Sequence, residues 1–202
     1  MRTGVIDCGL ASRIMSGAQE SGDLHVIHEF PGGLLIGALD GLGHGPEAAV
    51  ASRLCASLLT EYAGEPLEEI IARCHVRLRG TRGTVLSLCT LNEKASTWSW
   101  MGVGNVSGVL QRERGVPRRE RKCLIQTRGV VGGLMSKVNV STIPLTPGDV
   151  MVLATDGVRA DYSDELDLAG TPQQIAERIL DRHATGTDDA LALVARYGGG
   201  SP

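Results

Sequence analysis

Leu34-Leu35-Ile36-Gly37-Ala38-Leu39-Asp40-Gly41-Leu42-Gly43-His44-Gly45 is an apolar run that delivers one carboxylate into a glycine-rich turn. From residue 46 to about 62 the pattern becomes helical: Val50, Leu54 and Leu58 stand four apart, flanked by Ala51, Cys55 and Leu59 on the expected buried side. An Asp that ends a buried strand and is followed by Gly can present its side chain and a main-chain carbonyl to one point, because Gly adds no bulk there. Such oxygen donors suit a hard cation. One Asp holds no metal firmly, so the reading depends on whether other carboxylates end strands in the same way.

Immediately upstream, residues 23–30 read as a strand, and Pro31-Gly32-Gly33 turns it into residues 34–39. Antiparallel strands joined by a short turn align their outer ends, so this hairpin brings Asp23 beside Asp40. Residues 3–12 are also β-like. A second helix is expected from about 66 to 78, with Leu67, Ile70, Ile71, Cys74 and Leu78 as its apolar stripe. Strands follow at 84–91, 95–101 (Trp98 and Trp100 on one face), 106–111, 138–143 and 150–154. The last of these runs Val150-Met151-Val152-Leu153-Ala154 into Thr155-Asp156-Gly157, repeating the opening pattern. Thr171 is an N-cap with Pro172 at the first helical position, and Ile175, Ile179 and Leu180 mark that helix's buried side. Asp188 then stands at the entrance of a final strand, 190–197. Gly198 onward is expected to fray. The glycine-rich segment 128–133 reads as a mobile loop. Residues 112–122, rich in Arg and Lys, read as a solvated hairpin tip or as a docking loop for an acidic partner.

The chain has 202 residues and no linker that favours two units, so a single domain over 1–202 is expected. Aromatics make up only 3%, so Leu, Val, Ile and Ala must fill the core. A net charge of -3 gives no global electrostatic reason to expect nucleic acid or an anionic membrane as partner. The five cysteines are odd in number and scattered, without a Cys-x-x-Cys pair, and read as buried thiols of a reducing compartment. No apolar run reaches the ~18 residues of a membrane span, and Met1-Arg2-Thr3-Gly4 opens no signal-peptide apolar region. A cytoplasmic location is the expectation.

Asp23, Asp40, Asp156 and Asp188 therefore gather at strand ends beside turns. Oxygen-only ligation selects Mg²⁺ or Mn²⁺ over zinc or copper. Packed carboxylates repel one another, and two divalent ions about 3.5–4 Å apart would relieve that repulsion and activate water for in-line attack on phosphorus. Each Asp-Gly taken alone is also a common turn former.

In their order and spacing, Ser21-Gly22-Asp23, Asp40-Gly41-Leu42-Gly43-His44-Gly45, Ala154-Thr155-Asp156-Gly157 and Asp188-Asp189-Ala190 resemble the motifs of the PPM metal-dependent protein phosphatases, specifically the SpoIIE-like branch. The resemblance implies an α+β fold: a four-layer αββα sandwich of two central antiparallel sheets flanked by helices. It also implies two cations, Mn²⁺ or Mg²⁺, held by Asp23, Asp40, the Gly41 carbonyl, Asp156 and Asp188, with Asp40 bridging both. Asp189 is expected to support the turn instead. In the family's eukaryotic members a His follows the metal-binding Asp-Gly and is proposed as general acid; here Leu42 follows and the histidine is His44. The catalytic set implied is Asp40, Asp156 and His44, and no Arg matches the eukaryotic phosphate-binding position. The short chain most resembles the stressosome feedback phosphatases, which implies phosphorylated STAS-domain proteins as substrates and the resetting of a stress signal as outcome. Alternatives are a phosphatase of another phospho-STAS anti-sigma-factor antagonist and a pseudophosphatase binding module. A two-metal nuclease fits the carboxylates but not the charge balance.

Overall fold

The structure is a computed structural model that describes residues 2–112 and 121–199. Its elements, in chain order, are β1 (Arg2–Thr3), β2 (Ile6–Arg13), β3 (Asp23–Phe30), β4 (Gly33–Gly41), α1 (Pro46–Glu61), α2 (Leu67–Arg77), β5 (Thr84–Asn92), β6 (Thr97–Val103), β7 (Ser107–Gln111), β8 (Arg121–Cys123), β9 (Gln126–Thr127), β10 (Ser141–Pro144), β11 (Val150–Ala154), α3 (Pro172–His183) and β12 (Ala190–Tyr197). A 3-10 turn, Ala160–Ser163, precedes α3.

Strand alternation builds two sheets. One runs β1-β2-β12-β11-β7-β8; the other runs β10-β6-β5-β4-β3, with β9 added in parallel alongside β6. Every other pairing is antiparallel. In β4, Leu34, Ile36 and Ala38 face the opposing sheet, while Leu35 and Leu39 face the helices. A strand buried on both faces reads as a continuous apolar run, which is what 34–39 is. Leu191, Leu193 and Ala195 of β12 meet Trp98, Trp100 and Ile36 in the inter-sheet core. On one outer face α1 and α2 cover the β4 side; on the other α3 lies on β2 and β12. Four layers result, helix-sheet-sheet-helix, as the motifs imply.

Local chemistry explains the helices. Thr171 accepts from Gln174 N–H while Gln174 reaches back to the Thr171 N–H, a complete capping box with Pro172 at the first position. The α2 stripe of Leu67, Ile70, Ile71, Cys74 and Leu78 is buried as expected.

Three expectations need correction. Val50 of α1 is 49% exposed and Leu54 only partly buried, whereas Ala51, Cys55, Leu58 and Leu59 are buried as expected, together with Ala48 and Ser52, small residues that let the helix start sit close on β4. Residues 138–140 form no strand. On β6, Gly102 and Val103 already pair with β9, so residues 138 and 139 have no place on that edge, and β10 pairs with Thr97 to Trp100 from Ser141 onward. The segment 128–133 is anchored in its middle: Val131 is fully buried and exchanges two hydrogen bonds with Thr84, 3.0 and 2.9 Å. Of the basic segment 112–122, residues 113–120 lie outside the described residues, as do 200–202 of the expected fraying end. Among the described residues, no helix is long and apolar enough to cross a membrane.

Candidate active site

Strand register gathers the carboxylates. Asp23 stands directly opposite Asp40 across the β3–β4 hairpin. Asp40 continues the parity of Leu34, Ile36 and Ala38, so it ends the inter-sheet face of its sheet. In the other sheet β11 leaves at Ala154 and β12 enters at Ala190 beside it, which brings Asp156 and Asp188 out on the same rim. All four expected acidic residues thus meet at one end of the sandwich.

Two residues outside the predicted site tie it together. The Thr155 hydroxyl reaches from one sheet to the other and donates to Asp23 Oδ2 at 2.6 Å, while accepting from Leu191 N–H at 2.8 Å. Asn105 donates to Asp156 Oδ2 at 2.7 Å. Thr155 lay inside a motif already singled out, but strand alternation cannot show a contact made between sheets. Asn105 lay in the turn after β6, with no spacing signal of its own.

Asp189 supports the turn, as expected. It is 3% exposed, and its two carboxylate oxygens accept from Met15 N–H (2.8 Å) and Gly22 N–H (2.7 Å). The Gly22 carbonyl in turn accepts from Ser52 Oγ (2.5 Å) and Gly41 N–H (3.1 Å). The peptide preceding Asp23 is therefore gripped from the turn before β12, from α1 and from β4 at once. Two glycines permit the close approach. A Cβ on Gly41 would lie 2.2 Å from the Ala48 carbonyl oxygen, and one on Gly157 would lie 1.9 Å from that of Asp189.

Burial and mutual repulsion load this rim with unfavourable charge. Burial, then the neighbouring carboxylates, push Asp40 up to about 8. Asp23 is pushed up to about 7 by burial, with Asp189, Asp156 and Asp188 adding to the effect and the Thr155 hydrogen bond opposing it. Asp156 is raised by burial and then by Asp188. The ion pairs among the described residues join other partners, such as Arg82 with Glu47 and Arg53 with Glu20. A ring of oxygen donors that cannot all ionise without added positive charge fits divalent cations. No three His, Cys, Asp or Glu side chains among the described residues close on a single point. The carboxylates instead border an open cleft of about 380 Å³, lined by Asp40, Asp156 and Asp188 with Leu42, Val85, Asn105 and Val130. Asp23 lies behind Asp40, buried at 8% exposure.

His44 is exposed and lines the same cleft at the start of α1. Gly41 is buried beneath α1. Trp98 and Trp100 are core residues. His183 is buried away from the cleft, with Nδ1 3.0 Å from Asp161 Oδ1. Four of the five cysteines are buried free thiols, and Cys123 is exposed.

The model of the Stage II sporulation protein E (SpoIIE) family matches residues 31–198. Phosphoserine phosphatase RsbX of Bacillus subtilis (strain 168) is 26% identical over 162 residues, covering 80% of this chain and 79% of RsbX. A solved structure of RsbX in complex with magnesium superposes with a TM-score of 0.86 at 24% identity, covering 98% of each chain. A chain from a study of the bacterial stressosome as a modular system adapted to control secondary messenger signalling gives 0.85 at 25% identity, covering 95% of this chain and 99% of that one. The four-layer fold is that of the PPM phosphatases, and the chain belongs to the SpoIIE family.

Proposed function

We propose that this chain is a Mn²⁺- or Mg²⁺-dependent phosphoserine/phosphothreonine protein phosphatase that acts on phosphorylated STAS-domain proteins of a stressosome and so resets a stress signal. The observation that carries this reading is the ring of uncompensated carboxylates at the cleft, with Asp23 and Asp40 raised to about 7 and 8. The likeness to RsbX supports the choice of substrate class.

In this reading Asp40, the Gly41 carbonyl, Asp156, Asp188 and, from behind, Asp23 hold two cations. When bound, the ions neutralise phosphate charge and supply activated water for in-line displacement. Thr155 fixes the carboxylate plane of Asp23 behind Asp40, and Asn105 fixes that of Asp156 at the cleft, so neither rotates freely. His44 stands at the mouth, where it can give a proton to the departing serine or threonine oxygen. Leu42, Val85 and Val130 supply the apolar part of the cleft lining.

The test is phosphate release from purified phosphorylated STAS-domain proteins, with Mn²⁺ or Mg²⁺ and with chelator. Metal-dependent release from the stressosome protein is expected. Release only from a different phospho-STAS antagonist would move the substrate, and none from either, despite turnover of a small phosphoester, would refute the substrate class.

A further inference from the structure

Leu134 is 90% exposed, yet the backbone that carries it is held firmly. Its carbonyl accepts from Val130 N–H at 2.7 Å; Gly133 N–H bonds to the Val130 carbonyl at 3.1 Å, and Ser136 N–H to the Arg128 carbonyl at 3.1 Å. Gly129 pairs with Met135, and Val131, fully buried, pairs with Thr84. A large apolar side chain presented to water on a pinned loop keeps its area available for a partner. The same loop is continuous with the cleft, because Val130, bonded to Leu134, forms part of the cleft wall with Leu42. Arg128 and Lys137 are both exposed beside the Arg128–Ser136 hydrogen bond, so positive charge flanks the apolar tip.

We infer that segment 128–137 is a docking ridge for the phosphoprotein substrate, with Leu134 as apolar anchor and Arg128 and Lys137 as flanking charges. This rests on the phosphatase reading above. The occupant is a folded phosphoserine protein whose surface beside the phosphate is apolar and ringed by carboxylates. A small phosphoester can occupy the cleft without reaching Leu134, Arg128 or Lys137, none of which lines it. A few side chains that become fully desolvated in the contact carry most of the binding energy of such encounters.

The experiment compares the native chain, Leu134→Ser and the double variant Arg128→Glu/Lys137→Glu on two substrates: para-nitrophenyl phosphate and a phosphorylated stressosome STAS-domain protein. For Leu134→Ser, turnover of the small ester is expected to stay within about twofold, while kcat/KM on the phosphoprotein falls by roughly tenfold or more, chiefly through KM. The charge variant is expected to lose phosphoprotein turnover mostly at low salt. Both variants within about twofold of native on the phosphoprotein would overturn the ridge and leave the phosphatase reading intact. No turnover of either substrate by the native chain would overturn both. A native dimer in sedimentation that Leu134→Ser dissociates would assign the ridge to a second copy and overturn the substrate role.

Discussion

Thr155→Val replaces a hydroxyl with a methyl of nearly the same volume and removes two buried hydrogen bonds at once. One is the 2.6 Å bond to Asp23 Oδ2; the other comes from Leu191 N–H at 2.8 Å. A hydrogen bond to a carboxylate is worth about 1.5–3 kcal/mol, and a buried N–H left without a partner costs about 1–3 kcal/mol. Part of this overlaps, and the added methyl recovers some apolar burial, so the net loss is roughly 2–4 kcal/mol. Urea unfolding of the metal-free protein should show a lower midpoint with an unchanged slope. The loss also has a pH signature. The Thr155 bond holds Asp23 down against burial, so without it Asp23 rises further above about 7. Below that pH the carboxyl is protonated in both proteins; above it only the native chain gains from ionising. The difference between variant and native should therefore widen as pH rises past about 7. A midpoint shift equivalent to less than about 0.5 kcal/mol at pH 8 would refute the view that Thr155 clamps the two sheets at the site.

Asp189→Ala should cost roughly 2–4 kcal/mol, because Met15 and Gly22 N–H both lose their acceptor, and thermal unfolding measures it. Asp189→Asn, which keeps one acceptor oxygen, should lose less. Asn105→Ala should raise the Mn²⁺ concentration for half-maximal turnover by about tenfold or more, since Asp156 is then free to rotate. The metal-free chain should become less stable as pH rises from about 4 to about 8. Asp23 and Asp40 are raised from 3.8 to about 7 and about 8, so across that window the folded state binds more protons than the unfolded one. Added Mn²⁺ should restore stability at pH 8 far more than at pH 5, and thermal scans with and without chelator would reveal the opposite slope if the reasoning is wrong.

How much of this was legible in the sequence follows from which forces act locally. The β3–β4 hairpin was readable because a two-sided apolar run and a Pro-Gly-Gly turn set register without outside help, and Asp23 fell opposite Asp40 as expected. Thr171-Pro172 was readable because a capping box is a contact within four residues. The buried side of α1 was read correctly at Ala51, Cys55, Leu58 and Leu59, but at Val50 bulk was taken as the sign of burial. At its start the helix sits so close to Gly41 that the small Ala48 and Ser52 pack there, and Val50 turns to water. The end of the 138–143 strand pattern was set by competition for β6, which no local pattern contains. Thr155 and Asn105 escaped for a related reason: their partners lie 132 and 51 residues away, and it takes the stacking of two sheets to bring Thr155 to Asp23 and the pairing of β7 with β11, Ser107 opposite Ala154, to bring Asn105 to Asp156.

The most direct test of the carboxylate ring as a metal-dependent phosphatase centre is hydrolysis of para-nitrophenyl phosphate with Mn²⁺, with Mg²⁺ and with chelator, comparing the native chain with Asp40→Asn. Asp40→Asn removes one charge from a crowded rim and should fold at least as stably as native without metal. Turnover that needs a divalent ion and disappears in Asp40→Asn is the predicted result. Turnover by Asp40→Asn equal to native, or native turnover that survives chelation, would contradict the account.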